Sequence, residues 1–317
     1  MSSNRIHKVA FLDSVHPHLM EQLQLKDVVC DDLIDLDPDE VNKRIIAYDG
    51  IIIRSRFAVD RAFLDKAKNL KFVARSGAGM ENIDVNYARA KGIKLFNSPE
   101  GNRTAVAEQS IGMLLSLMNH LNRVDAEVRN GVWLREENRG HELKGKVVAI
   151  IGYGHMGSAF AKRLEGFDVK VIAYDKFKKG YSNSLVKESY WKEIYKRADV
   201  LSLHVPLADD TINLIDKERL KQFDKPIYLI NTARGQNVNT AHLLDAIDNG
   251  NVLGACLDVL EFEGSSFEKI NEDEKTYQRL INEEKVLLSP HIAGWTEESY
   301  FKLANFLFKK IEAHFLK

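Results

Sequence analysis

Arg234, an acid at Glu261 or Glu263, and His291 are the residues of this chain whose types and settings suit chemistry. Arg234 follows the run PIYLINTA and precedes a glycine. Its guanidinium can therefore leave a strand end, grip a carboxylate with two parallel N–H donors and polarise an adjacent carbonyl. His291 follows LLSP and precedes Ile292-Ala293-Gly294-Trp295-Thr296, which sets an imidazole at a strand end beside adaptable backbone. With an unperturbed pKa of about 6.5, an imidazole trades a proton near neutral pH, and a neighbouring carboxylate raises that value by about one unit or more. An acid in or after LDVLEFEGS would hold the ring, and spacing alone does not choose among Glu263, Glu261 and several later acids. His7, His16, His18, His120, His242 and His314 lack such a setting and read as solvated or packing residues. A carboxylate clamp, a proton-exchanging ring and an orienting acid describe acid–base work at the oxygen-bearing carbon of a small carboxylic acid.

Upstream, Gly152-Tyr153-Gly154-His155-Met156-Gly157 fits G-x-G-x-x-G, a weak pattern that gains force from its context. KVVAII reads as a buried strand entering the first glycine and MGSAFAKRL as a helix leaving the last, the strand-turn-helix that phosphate binding requires. Glycines permit the tight turn and close backbone approach, while the helix N-terminus offers N–H groups and partial positive charge to a pyrophosphate. Asp175 closes the next strand, VKVIAYD, 18 residues after Gly157, near the spacing of about 20 for a carboxylate that binds the adenosine ribose. A carboxylate there repels a 2'-phosphate, so NAD is expected over NADP. Lys176, Lys178 and Lys179 soften that preference.

Sheets must hold these groups. At 317 residues the chain favours two domains of roughly 150 residues, with a cleft between two lobes. Through the first hundred residues KVAFLD, PHLMEQLQ, GIIIRS, DRAFLDKAKN, LKFVARS, VNYARAKG and IKLFN alternate strand and helix, which implies a parallel sheet covered on both faces. A helix is expected from about Thr104 to Asn122, then a polar surface connection, RNGVWLREENRGHELKG. Alternation restarts at KVVAIIG, and the six strands that follow match a six-stranded dinucleotide-binding sheet. The C-terminal helix, about Glu297 to Phe315, has no seventh strand to cover and is expected to return to the first lobe. The expected division is 1-100 plus 294-317 for one domain and 101-293 for the other.

Composition narrows the classes. The chain is 44% hydrophobic and 29% charged with 6 prolines, an ordinary globular balance that leaves little room for a disordered tail. A net charge of -1 gives no global field toward nucleic acid or anionic lipid, so neither is an expected partner. No stretch approaches the roughly 20 apolar residues of a membrane span, and the N-terminus lacks a signal-peptide core, so a cytoplasmic location is expected. Cys30 and Cys256 are far apart and without a CxxC companion, and read as inert thiols rather than a disulfide or metal site.

With these residues in view, the chain resembles the D-isomer-specific 2-hydroxyacid dehydrogenase family over essentially its whole length, and within it the short form of D-3-phosphoglycerate dehydrogenase. IRSR, RSGAGMENID, NSPEGNRTAVAEQ, ELKGKVVAIIGYGHMG, SLHVPL, LINTARG, LDVLEFE and SPHIAGWT stand in the family's order. The resemblance implies an α/β fold of two doubly wound parallel-sheet domains, a Rossmann-type cofactor domain and a flavodoxin-like substrate domain. It also implies NAD as cofactor, no metal, and hydride transfer between nicotinamide and a D-2-hydroxy acid. It selects Glu263, five residues after Asp258, as the partner of His291, and sets Asp258 against the nicotinamide carboxamide. It implies that backbone N–H groups of Ser76, Gly77 and Ala78 hold the substrate carboxylate and that Arg54, Ser55 and Asn102 approach the rest of the substrate. Thr104, His204, Pro206, Thr232, Ala233 and Gly294 would line the cofactor.

Arg54, Arg56 and Arg75 gather near first-lobe strand ends, which suits a phosphorylated acid such as 3-phosphoglycerate or its keto form, 3-phosphohydroxypyruvate, and with it serine biosynthesis. Reduction of glyoxylate or hydroxypyruvate is the alternative within the enzyme reading, and an NAD-sensing binding protein is the alternative outside it. Formate oxidation is disfavoured because that branch pairs its histidine with glutamine. Two departures from the family bear on this. Gly264, Ser265, Ser266 and an acidic stretch replace the usual proline after the glutamate, which is expected to reshape that loop and the substrate preference. The chain also ends at Lys317, so feedback by serine through a C-terminal regulatory domain is not expected. A homodimer through the cofactor domain is expected, with the helix around Ala105 to Asn122 and Trp133 supplying surface.

Overall fold

The computed structural model describes residues 5–264, 270 and 275–317; Ser265 and Ser266, on which the expected reshaping of the loop after Glu263 rests, lie outside the described residues. The chain divides into two compact units. One runs to Asn102 and takes up the chain again from Trp295; the other holds Arg103–Gly264 and the stretch ending at Gly294.

In the first unit β1 (Lys8–Phe11), α1 (His18–Gln24), β2 (Val29–Asp32), α2 (Pro38–Arg44), β3 (Gly50–Ile53), α3 (Arg61–Lys66), β4 (Phe72–Arg75), α4 (Val85–Ala90) and β5 (Lys94–Asn97) lead into α5 (Pro99–Met118). Among the described residues its five strands pair in parallel in the order β2-β1-β3-β4-β5. β3 and β4 are buried along their whole length, as apolar central strands of a sheet covered on both faces must be. Asp37, Asp60 and Asp84 start the following helices by accepting the N–H groups of Glu40, Phe63 and Tyr87.

The second unit continues with α6 (Leu121–Arg129), β6 (Val147–Ile151), α7 (His155–Arg163), β7 (Lys170–Tyr174), β8 (Val186–Glu188), α8 (Trp191–Arg197), β9 (Val200–Leu203), α9 (Lys217–Leu220), β10 (Ile227–Asn231), α10 (Thr240–Asp248), β11 (Val252–Leu257), α11 (Lys275–Ile281) and β12 (Val286–Leu288). The strands are parallel in the order β12-β11-β10-β9-β6-β7-β8. Strand order reverses between β6 and β9, and a doubly wound sheet takes its ligand in the crevice at such a reversal. One core lies around Leu201, Leu229 and Leu243 and another around Ile150, Phe160 and Ile230, so both faces of the sheet are dry.

The last helix, α12 (Glu297–Phe315), belongs to the first unit. Its Ala304, Leu307, Phe308, Ile311 and Phe315 pack on Val9, Phe11, Phe72 and Ala74 of that sheet. A reciprocal cap between Thr296 and Ser299 starts it. No helix among the described residues is long and apolar enough to cross a membrane.

Several elements differ from the sequence expectation. β2, with sequence VCDD, is a half-polar sheet edge, and β8 has three residues, too few for alternation to register; the second sheet therefore has seven strands among the described residues, not six. α2 was also not expected. The helix expected from Thr104 to Asn122 begins instead at Pro99, with proline at its first position. Gly101 is tolerated there because the Leu303 backbone passes so close that a Cβ would lie 2.7 Å from its nitrogen. His120, at φ +54°, breaks the helix after Met118 and starts α6, which ends at Arg129, where the expected polar connection begins.

Candidate active site

The turn from β6 into α7 uses its three glycines for different reasons. Gly152 has φ +92°, and a Cβ there would lie 2.5 Å from the His204 carbonyl oxygen. A Cβ on Gly157 would lie 2.0 Å from the Gly152 carbonyl oxygen, whereas one on Gly154 would meet nothing within 4 Å. Gly154 therefore faces open space. The N–H groups of Gly154, His155 and Met156 donate to no acceptor among the described residues, and they stand at the positive end of α7. Open space beside unspent donors fits a pyrophosphate.

Asp175, just past β7, is fixed in place: Oδ2 accepts the Tyr153 N–H at 2.8 Å, and Oδ1 accepts those of Phe177 and Lys178 at 2.9 and 2.8 Å. Burial works against its charge, but the N–H groups of Lys178, Phe177 and Tyr153 outweigh burial and hold the carboxyl below its usual range. It is thus an anion where ribose hydroxyls would donate. The lysines invoked for a 2'-phosphate all have partners: Lys176 pairs with Asp210 at 2.6 Å, Lys178 Nζ donates to the Tyr153 carbonyl at 3.0 Å, and Lys179 Nζ donates to the Asp175 carbonyl at 3.4 Å.

Other cofactor candidates sit around this turn and the strand ends. The His204 Nε2 lies 2.9 Å from Ser202 Oγ, its Nδ1 is enclosed without a partner among the described residues, and burial pulls the ring down to a pKa of about 3, so it is neutral. Pro206 accepts from Thr211 Oγ1 at 2.7 Å, and Thr232 Oγ1 lies 3.2 Å from Ser110 Oγ. Thr104 Oγ1 lies 3.5 Å from Arg163 Nη2. Ala233 is buried and Gly294 half-buried at the end of the His291 loop.

Arg234, Glu263 and His291 follow three neighbouring strands. Asn231 of β10 pairs with Leu257 of β11, and Leu257 with Leu288 of β12, so the loops carrying the three residues leave the same sheet edge side by side. Gly235 lets the first loop press on the second: a Cβ there would lie 2.0 Å from the Leu260 carbonyl carbon. His291 Nδ1 lies 2.7 Å from Glu263 Oε2, and Glu263 Oε1 accepts the Leu260 N–H at 2.5 Å. Glu261 instead accepts the Thr240 N–H at 2.8 Å, which separates it from Glu263 where spacing did not. His291 has φ +57°, a left-handed conformation costly for a residue with a Cβ and held by its surroundings. Arg234 Nη1 donates to the Ala233 carbonyl at 2.6 Å.

Asp258 is what holds that loop. Its carboxylate, 1% exposed, accepts Ser289 Oγ–H at 2.6 Å and the N–H groups of Ile292 and Ala293 at 2.9 and 2.8 Å, and its carbonyl accepts the His291 N–H at 2.7 Å. Burial raises its pKa against these bonds. It is a strut beneath the imidazole, a role additional to the cofactor contact that the resemblance implies. Nothing in the residue spacing signals it, because the three donors come from a loop 31 to 35 residues away.

In the first unit the expected carboxylate loop needs a correction. The Ser76 N–H donates to the Ile53 carbonyl and the Gly77 N–H to the Arg75 carbonyl, so the amides without an acceptor among the described residues are those of Ala78 and Gly79. The arginine cluster also divides. Arg75 is buried and donates to the carbonyls of Arg54 and Gly79, and Arg56 donates to those of Ile34 and Leu36; both hold loops. Arg54 alone lines a cavity of about 200 Å³, together with Ser14, Ser76, Trp295 and Tyr300. Ser55 lies beside Arg54 outside that lining, and Asn102, on α5, has its Oδ1 buried without a partner among the described residues. Trp295 stands within SPHIAGWT without a role implied by the resemblance; its aromatic surface four residues after His291 is the signal the sequence carries.

A family model described as "D-isomer specific 2-hydroxyacid dehydrogenase, NAD binding domain" matches residues 111–293. The hydroxypyruvate reductase of Thermotoga maritima is 32% identical over 98% of both chains. The D-3-phosphoglycerate dehydrogenase of Archaeoglobus fulgidus is 34% identical over 86% of this chain, which spans about half that relative, 50% of its length. Among solved structures, the D-lactate dehydrogenase of Aquifex aeolicus complexed with NAD and lactic acid superimposes with a TM-score of 0.81 at 27% identity, covering 97% of this chain and 95% of the other.

Proposed function

The chain belongs to the D-isomer-specific 2-hydroxyacid dehydrogenase family and binds NAD, and from that premise we propose that it reduces a phosphorylated 2-keto acid, 3-phosphohydroxypyruvate, or oxidises the matching D-hydroxy acid, 3-phosphoglycerate. The observation that carries the catalytic part of this reading is the 2.7 Å contact between His291 Nδ1 and Glu263 Oε2.

The Gly152 to Gly157 turn and Asp175 would hold NAD, which would supply the hydride acceptor or donor. The chain's own residues do the rest. Glu263 keeps the Nδ1 proton of His291 in place, so that Nε2 is the atom that exchanges a proton with the substrate oxygen. In reduction the imidazolium donates from Nε2 as the oxygen gains charge; in oxidation the neutral ring accepts the hydroxyl proton there. The Arg234 guanidinium binds the substrate carboxylate and polarises the carbonyl by a charge already in place before reaction. Ala78 and Gly79 offer N–H donors, and Arg54 a cation, to the substrate's anionic groups.

The phosphorylated substrate is supported by Arg54, whose guanidinium pairs with no acceptor among the described residues. Reduction of hydroxypyruvate or glyoxylate is the second reading, supported by the relative that matches over 98% of both lengths. NADH oxidation with a panel of 2-keto acids tests both. Turnover of 3-phosphohydroxypyruvate that falls in Arg54→Ala supports the first, and turnover indifferent to Arg54 supports the second. No turnover by a folded protein that binds NADH supports an NAD sensor. A second copy of the chain is also proposed to cover Leu121, Val128, Val132, Trp133 and Leu134, which are exposed on α6 and the segment after it.

A further inference from the structure

Arg54 is fixed at its backbone and unsatisfied at its charge. Its N–H donates to Asp13 Oδ2 at 2.5 Å, and its carbonyl accepts from Arg75 Nε at 2.9 Å and Asn82 Nδ2 at 3.1 Å. Its guanidinium, facing the cavity of about 200 Å³, lies over the Trp295 indole with 4.3 Å between Cζ and the ring centroid. Among the described residues no carbonyl or carboxylate accepts from it. The ring therefore holds the guanidinium from one face and consumes none of its N–H donors, which radiate from the rim of the planar group.

We propose that Trp295 is a specificity-determining residue: by holding the Arg54 guanidinium over its indole, it presents those donors to a second anionic group at the far end of the 2-keto acid. This rests on the reading above that the chain reduces such acids. The chemistry recognised is a carboxylate or a phosphate, either of which accepts two parallel N–H bonds from a guanidinium. An acid whose far end is uncharged leaves Arg54 as it was and gains nothing from the ring. Trp295 itself is 57% exposed, so its loss opens no core.

One group opposes the assignment. Glu297 lines the same cavity, and its carboxylate would repel a second anion. It is exposed, so water screens it, whereas Arg54 is half-buried and keeps more of its field. Glu297 is therefore a brake on affinity rather than a bar to binding, and removing its charge has a predicted sign.

Steady-state kinetics with NADH separate the outcomes, using 3-phosphohydroxypyruvate, 2-oxoglutarate and glyoxylate as the phosphate, carboxylate and uncharged arms. Trp295→Leu is expected to raise KM for one or both of the first two roughly ten-fold, equivalent to about 1.4 kcal/mol, with kcat and the glyoxylate KM unchanged. Trp295→Phe, which keeps a ring face, is expected to restore most of the loss, and Glu297→Gln to lower the same KM values. Equal losses on all three acids, or a Phe variant no better than Leu, would overturn the proposal. Calorimetric titration with 2-phosphoglycolate against acetate, in the presence of NAD, reads the subsite without turnover. If no acid is reduced, the catalytic reading fails, yet the proposal still stands or falls on tighter phosphoglycolate binding that Trp295→Leu weakens roughly ten-fold.

Discussion

Both carboxylate oxygens of Glu263 are committed, Oε2 to Nδ1 of His291 at 2.7 Å and Oε1 to the Leu260 N–H at 2.5 Å. A carboxylate held at two points cannot swing away from the ring, so the imidazole has one tautomer to offer. Glu263→Gln keeps the shape and removes the charge that steadies the imidazolium. We expect kcat to fall roughly 10²- to 10⁴-fold with NADH affinity retained, measured by turnover alongside a fluorescence titration. An unchanged kcat would mean the ring works without its anion.

Two alanine substitutions in the glycine turn should fail differently. In Gly157→Ala the methyl would sit 2.0 Å from the Gly152 carbonyl oxygen, so α7 must retreat from the turn; both thermal stability and NADH affinity are expected to drop. In Gly154→Ala the methyl meets no protein atom within 4 Å and fills space meant for the pyrophosphate. That variant is expected to melt within a few degrees of the parent and to bind NADH at least roughly ten-fold more weakly. Normal NADH binding by Gly154→Ala would remove the pyrophosphate from this turn.

Acid should unfold the protein partly through His204. Its ring has an ordinary pKa near 6.5 when unfolded and about 3 when folded, because burial disfavours the charged form. The unfolded chain therefore binds the extra proton first. The stability this ring confers is complete above its unfolded pKa and is lost as pH falls toward 3, at up to about 1.4 kcal/mol per pH unit. Urea unfolding midpoints should fall between neutral and acidic buffer, and fall less in His204→Leu. Parallel pH profiles for the two proteins would show that this ring is not the group that titrates.

Central strands, the phosphate turn and the three catalytic candidates were legible in the sequence because each depends on local pattern. IIIR and FVAR are apolar runs of buried strands, and G-x-G-x-x-G declares its own backbone. What was not legible depends on pairing across the fold. VCDD becomes a strand because β1 offers it an edge, and Glu100-Gly101-Asn102 becomes helix because Leu303 packs there. The three arginines look alike in sequence; only the carbonyls around Arg56 and Arg75 show that they are structural, leaving Arg54 for a ligand. Asp258 reads in the sequence only as a cofactor contact, and its part in holding the His291 loop emerges with its donors from residues 289–293.

The most direct test of the account follows an isotope. NADH deuterated at the transferred position of C4 is incubated with the protein and a 2-keto acid, and the product is analysed for deuterium at C2 and for configuration. We expect a D-2-hydroxy acid carrying the label, formed by the parent protein and not by His291→Asn at comparable NADH occupancy. Label that stays in the cofactor while the folded parent protein binds NADH and the acid, or a product of L configuration, would contradict it.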